Sequence, residues 1–363
     1  MDKQLSRYLD LLRVLAALFV LLAHLSDPAI TGGRITVPSE IGYSAVMVFF
    51  VLSGYVICYV AVERQHALSE FAISRVARVY SVVLPALALT VFVDILFMHV
   101  RPLFRARPLL AGIPTYQYRK LPEYLMMHLV FGNHLLGLHE TAFSNGTFWS
   151  MCFEVYYYVH FAIAFYFRGP ARIAALLCVI PVIGIGPLLR FHLWLFGCLV
   201  YWQHRRGRGM AVGTARAVFV VAAALLLADL ATNLNLRIDV LLNGVTGNWV
   251  ARSDCRRLAG DTLTGALVAL NIFAARYAAF DFGRAGRWFA YFASFTFSLY
   301  LMHVPLLRLF AAYWNPGPLV AVAAVLATVW VLGQVTERQK ERLRILLQHA
   351  VARWPGRVGA PGG

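Results

Sequence analysis

Ten stretches of about 20 predominantly apolar residues dominate this chain, beginning near residues 9, 43, 80, 148, 172, 189, 216, 262, 290 and 317. An α-helix needs that length to cross the roughly 30 Å hydrocarbon core of a bilayer. In hydrocarbon each backbone N–H and C=O must be satisfied inside the protein, so such runs can span only as helices. They use more than half of the 363 residues and leave no room for a separate soluble domain. Composition agrees, with 60% hydrophobic and 14% charged residues, where soluble domains carry about a quarter charged. The expected fold is an all-α integral membrane bundle of about ten transmembrane helices with one re-entrant or interfacial segment at 121–138. The apolar core of that segment, Tyr124 to Leu138, is too short and too rich in His, Asn and Gly to span.

A net charge of +16 would point to nucleic acid in a soluble protein, but here the loops sort it. With the N-terminus inside, about 20 Lys and Arg fall on the cytoplasmic side, about 11 outside and two within helices, which is the positive-inside pattern. Both termini are therefore expected in the cytoplasm, with lipid and not nucleic acid as the charge's partner. The external segment 99–147, with Arg101, Arg105, Arg107, Arg119 and Lys120, runs against this count locally. The first run follows Lys3 and Arg7 as a secretory signal would, yet it contains Arg13 and Ala23 to Asp27 offers no small-x-small cleavage site, so a retained helix is expected. Residues 1–337 read as the membrane domain. Residues 338–363 read as a basic cytoplasmic tail whose helical part lies along the inner membrane surface, with disorder after Pro355. Residues 233–261 read as an external loop. Cys58, Cys152, Cys178, Cys198 and Cys255 are scattered and odd in number, with neither metal-ligand spacing nor a disulfide framework.

Within the first run, LLRVLAALFVLLAHL, Arg13 and His24 are costly residues for hydrocarbon and invite a functional reading. Eleven residues apart, they fall about 20° from one another around a helix and about 16 Å apart along it. His24 is a natural general base, and a carboxylate on its other ring nitrogen would fix the tautomer. Glu154 could be that carboxylate, with Asp27 as an alternative. His24 could equally mark a span end, and Arg13 could snorkel or pair with Asp10. Arg75 and Arg78, one turn apart in SRVARVY, suit a phosphate-bearing ligand or simple positive-inside anchoring. Ser53 and Gly54 in FFVLSG allow close helix approach. Trp149 and Ser150 open the fourth run, and His303 precedes Pro305 in the ninth; each could line a cavity or serve packing. Tyr156, Tyr157 and Tyr158 read as core and belt.

Together these pieces resemble the acyltransferase 3 family of bacterial integral-membrane O-acyltransferases, over about residues 5–340. The family's Arg, ten residues, His pattern is matched by Arg13 and His24, and its FFVLSG by residues 49–54. Its Arg-x-x-Arg is matched by Arg75 and Arg78, its WS-x-x-x-E by Trp149, Ser150 and Glu154, and its SLYLxH by Ser298 to His303. Ser81 stands where many members have proline, and no hydrolase-like domain is appended. The resemblance implies a membrane acyltransferase domain at 1–337 in the bacterial inner membrane. It implies transfer of an acyl group, commonly acetyl, from cytoplasmic acyl-CoA to a hydroxyl of an envelope or exported carbohydrate. Acyl-CoA is then a co-substrate, with no bound cofactor and no metal. Donor binding falls to Arg13, Arg75 and Arg78, and catalysis to His24 and Glu154. Ser53, Trp149, Ser150 and His303 take substrate-binding or structural roles, and glycan-assembly proteins are possible partners. His24 acts either as general base or as a transient acyl carrier.

Two other classes fit the same residues. A proton-coupled transporter or flippase of a lipid-linked or anionic substrate would use the intramembrane His, Glu and Asp as a relay, without any thioester. A non-catalytic membrane subunit that positions a glycan-processing partner would tolerate His24→Ala.

Overall fold

The computed structural model describes residues 1–104, 121–138, 140, 143–207, 209–245, 257–314 and 317–353. Arg105, Arg107, Arg119, Lys120, Cys255 and the tail after Pro355 lie outside these residues. Among the described residues the chain is helical, without a β-strand. The helices are α1 (Lys3–His24), α2 (Pro28–Thr31), α3 (Ser39–Glu63), α4 (Leu68–Phe104), α5 (Leu121–Leu129), α6 (Trp149–Tyr166), α7 (Gly169–Ile183) and α8 (Ile185–Arg205). They continue as α9 (Val212–Thr232), α10 (Leu234–Val245), α11 (Leu258–Ala275), α12 (Ala285–Ala293), α13 (Thr296–Tyr313), α14 (Pro318–Val335) and α15 (Lys340–Ala352).

Each of the ten expected starts falls within or beside a helix, though α4 begins twelve residues before residue 80, and fewer helices meet the length and apolarity of a span. Six do, namely α3, α4, α8, α9, α11 and the run that opens at Pro318, and α12 with α13 make a seventh if their 56° bend is counted as one broken span. The others fall short for a physical reason. Helix α1 carries Lys3, Arg7, Asp10 and Arg13, α6 carries Glu154, His160 and four tyrosines, and α7 has only 15 residues. A helix that faces other helices need not be apolar all round, and α1 turns Leu5, Leu9, Ala16, Ala17, Val20 and Leu21 into the protein.

Two of the expected connections fall wholly or partly among the described residues. Segment 121–138 consists of the nine-residue α5, a turn and the 3-10 piece Gly132–Gly137, so no helix there is long enough to span. Residues 233–261, expected as a loop, contain α10, because buried aspartates satisfy the first N–H groups of two helices. Asn235 N–H donates to Asp229 (2.7 Å), and Ala259 and Gly260 N–H donate to Asp239 (3.1 and 3.0 Å).

Helices α3 and α8 form the spine. A Cβ on Gly54 would lie 1.9 Å from the Trp194 carbonyl oxygen, and one on Gly197 would lie 2.0 Å from that of Val51. The two backbones therefore touch, which only glycine on both sides permits. In a bilayer this close packing replaces the hydrophobic drive that lipid removes. Around it Leu21, Met47, Phe50, Tyr55, Tyr157, Trp194 and Leu301 are fully buried, while α9 is the least enclosed of the span-length helices.

Successive long helices alternate in direction. One end of the bundle joins Gln4 to Asp281 (2.7 Å), Gln65 to Tyr166 (2.6 Å) and Glu63 to Tyr201 (2.8 Å). The other end stacks Tyr43 on Trp149 and brings Arg190 of α8 to Asp261 of α11 in a buried ion pair (2.9 Å). Arg13 sits toward the first end and His24 at the second, as the helical arithmetic requires.

Candidate active site

Two cavities open along α1, one beside Arg13 at its middle and one beside His24 at its C-terminal end. The first, of about 410 Å³, is walled by Arg13 of α1, Arg64 just past α3, Arg75 and Arg78 of α4, and Lys340 and Arg344 of α15. Among the described residues two carboxylates, Glu154 and Glu341, share that wall. The remaining polar lining comes from Ser53, Ser74, Ser150, Thr296, Tyr158 and Tyr300. The second cavity, of about 560 Å³, holds His24, Asp27, Tyr43, Thr147 and Trp149. Tyr300 and Val46 line both, and so form a dividing wall.

Local structure explains how each group is presented. Arg13 pairs with Asp10 one turn earlier (3.0 Å) and still lines the first cavity, so its pairing and its exposure to a ligand coexist. Arg75 is braced by Ser74 Oγ (2.9 Å) and lies over the Phe71 ring, and Arg78 lies over Phe297. Ser53 donates to Glu154 Oε1 (3.1 Å) and accepts from the Trp194 indole N–H (3.2 Å), while the Tyr158 hydroxyl donates to the same carboxylate oxygen. Ser150 shares a 2.6 Å hydrogen bond with the Tyr300 hydroxyl. Six cations against two carboxylates give this cavity a strongly positive lining.

At the other end, His24 Nδ1 lies 2.9 Å from Val20 O and 3.2 Å from His303 Nε2, and His303 Nδ1 lies 2.9 Å from Leu299 O. A carbonyl oxygen can only accept, so each Nδ1 carries the proton. His303 Nε2 is then an acceptor facing His24 Nδ1–H, and His24 Nε2 keeps its lone pair. Among the described residues no hydrogen bond engages that nitrogen. An imidazole held at one nitrogen and open at the other can take a proton from a hydroxyl.

The structure thus brings Arg13, Arg75 and Arg78 together, and His24 with His303 and Trp149. It does not bring Glu154 to His24. Glu154 lies one turn beyond Ser150 on α6, on the face that looks into the cation-lined cavity, and His303 occupies the place expected for an orienting carboxylate. Trp149, though adjacent to Ser150, faces the other cavity, stacked on Tyr43 with ring centroids 5.7 Å apart. Sequence reading missed Arg64, Tyr158, Tyr300, Lys340 and Arg344. For two sets the signal was helical spacing: Ser150, Glu154 and Tyr158 recur every four residues, as do Lys340 and Arg344.

Neither a curated protein nor a solved structure matches the chain significantly. A family model described as an acyltransferase domain, Acyl_transf_3, matches residues 6–333. That match covers nearly the whole chain, including both cavities' walls on α1, α3, α4, α6 and α13, and the protein is therefore a member of this acyltransferase family.

Proposed function

We propose that this membrane acyltransferase moves an acyl group, acetyl in the first instance, from cytoplasmic acyl-CoA to a hydroxyl of an envelope or exported carbohydrate. The chain would sit in the bacterial inner membrane with both termini cytoplasmic. The observation that carries the reading is the pairing on one helix: a six-cation cavity beside Arg13, and an imidazole with an open Nε2 at His24, about 16 Å further along at 1.5 Å per residue. A phosphate-rich thioester enters the first cavity, its phosphates meet Arg13, Arg75 and Arg78, and its pantetheine arm passes the wall at Tyr300 toward the second.

There the acceptor hydroxyl donates to His24 Nε2. As its oxygen attacks the thioester carbonyl, the proton moves to Nε2, the C–S bond breaks, and the proton returns to the departing thiolate. The imidazolium formed in between keeps its Nδ1–H on Val20 O and His303 Nε2, so His303 is a positioning residue. The same lone pair could instead carry the acyl group in a two-step route. Glu154, held by Ser53 and Tyr158, supplies counter-charge to Arg75 and orients the donor end. Trp149 and Tyr43 offer an aromatic wall for the acceptor.

The test is purified protein in lipid nanodiscs with radiolabelled acetyl-CoA, following thioester loss and label on added glycans, with acid and hydroxylamine quenches to trap acyl-His24. Thioester-dependent labelling lost in His24→Ala is expected. No turnover with any acyl-CoA, together with unchanged cellular glycan acylation on deletion, would refute the proposal.

A further inference from the structure

Helix α15 lies beyond residue 333, where the family match stops, yet it closes the cation-lined cavity. Its half-buried positions are Lys340, Leu343, Arg344 and Leu347, an i, i+3, i+4, i+7 stripe turned inward against α4. The helix is fixed at its start. The buried Glu337 carboxylate accepts from Ser298 N–H (3.0 Å) and Ser298 Oγ (3.1 Å), and Gln339 donates its side-chain amide to Gln334 O (2.7 Å). That anchor ties the foot of α14 to the first turn of α13, so Lys340 is delivered to the cavity rather than left on a tail.

Two observations say that this wall awaits an anion. Lys340 lines the cavity together with Arg13, Arg75 and Arg78. Like charges gathered at one cavity repel unless something negative lies among them. In addition, the Nε atoms of Arg75 and Arg344, two residues that line the cavity, are buried without a hydrogen-bond partner. Buried donors are nearly always satisfied in native proteins. A group with many acceptor oxygens supplies both at once; Arg344 keeps its Nη2 on Glu341 (2.7 Å) meanwhile.

We infer that α15 completes the donor site, with Lys340 and Arg344 binding the phosphate groups of an acyl-CoA-type polyphosphate across the cavity from Arg75. The inference rests on the donor reading given above. It makes the C-terminal helix a recognition element, and it assigns to that helix the choice of nucleotide-bearing thioesters over phosphate-free ones.

The experiment compares wild type, Lys340→Ala with Arg344→Ala, and Arg342→Ala on the exposed side of the same helix, as full-length protein in neutral-lipid nanodiscs. Calorimetry reads the Kd for coenzyme A and for S-acetylpantetheine, which lacks phosphate. In the double variant the Kd for coenzyme A should rise roughly tenfold to a hundredfold, and that for acetylpantetheine by less than about twofold, because two charge-assisted contacts are lost and the rest of the cavity is kept. Arg342→Ala should leave both constants at wild-type values. An unchanged Kd for coenzyme A in the double variant overturns the role of α15, and overturns it in favour of lipid headgroups if the same variant loses retention on vesicles containing phosphatidylglycerol. An equal rise in Kd for both ligands overturns it too, since the pair would then shape the cavity rather than read phosphate. Absence of coenzyme A binding by wild type is a different failure, that of the donor reading itself.

Discussion

Replacing His303 by alanine separates a positioning role from a packing role. The substitution removes the acceptor 3.2 Å from His24 Nδ1 but leaves Val20 O at 2.9 Å on the same N–H. The tautomer survives, because Val20 O alone requires the proton on Nδ1. What is lost is one hydrogen bond to the imidazolium that forms during transfer. Hydrogen bonds to charged groups contribute about 1.5–3 kcal/mol, and sharing the N–H with Val20 O places this one at or just below the bottom of that range. A loss of about 1–2 kcal/mol lowers kcat roughly 5- to 30-fold. His24→Ala removes the base itself and should cost on the order of 10²- to 10⁴-fold. The assay is the initial rate of labelled acetyl transfer at saturating donor, with size-exclusion elution and melting temperature in detergent as fold controls. His303→Gln, whose side-chain oxygen can accept, should recover much of the rate. Wild-type kcat in His303→Ala would refute the argument by making the two rings mere neighbours. A rate as low as that of His24→Ala, in a protein that elutes and melts normally, would refute it from the other side by placing His303 on the substrate.

Arg75→Ala combined with Arg78→Ala should raise the KM for acyl-CoA roughly 10- to 100-fold while the acceptor KM stays near its original value; a fall in kcat alone would remove these arginines from the donor site. Gly54→Ala and Gly197→Ala each force a carbonyl oxygen about 2 Å from a new Cβ, so each should destabilise the protein by about 1–3 kcal/mol or more. An unchanged melting temperature would contradict the α3–α8 contact. Arg190→Leu should strand the buried Asp261 carboxylate at a cost of about 3–5 kcal/mol, and Arg190→Leu with Asp261→Leu should recover most of it. Thermal melts of the single and double variants decide this, and additive losses would show that the pair is not coupled.

Elements were largely legible in the sequence, because an apolar run of span length can fold in only one way. The number of full spans was not, since α1 and α6 pack against neighbours and so escape the composition that lipid enforces, while α7 is apolar but has only 15 residues. Within the site, the opposite placement of Arg13 and His24 followed from helical rise alone. The partner of His24 did not, because His303 is 279 positions away and only packing of α13 against α1 brings it near. Glu154 was misassigned because depth along α6 was weighed and direction around it was not. Ser150, Glu154 and Tyr158 form one stripe, and that stripe faces Arg75 instead of His24. The residues contributed by α15 were hidden for a related reason: a basic amphipathic segment after the last span reads as a surface helix until the foot of α13 is seen to hold it.

The wall shared by the two cavities has a consequence for the cell rather than for the reaction. A continuous passage from the cation-lined cavity to the one beside His24 would be a pore, and it would leak protons and ions down the membrane potential. Tyr300, hydrogen-bonded to Ser150 and packed beside Val46, plugs that passage with a polar side chain already satisfied by protein. A thin pantetheine arm that displaces the plug would fill the gap it opens. On the proposed function, transfer across the bilayer and electrical tightness of the bilayer would depend on the same few atoms, and variants that shrink Tyr300 should be judged by the conductance they impose as well as by the acyl groups they move.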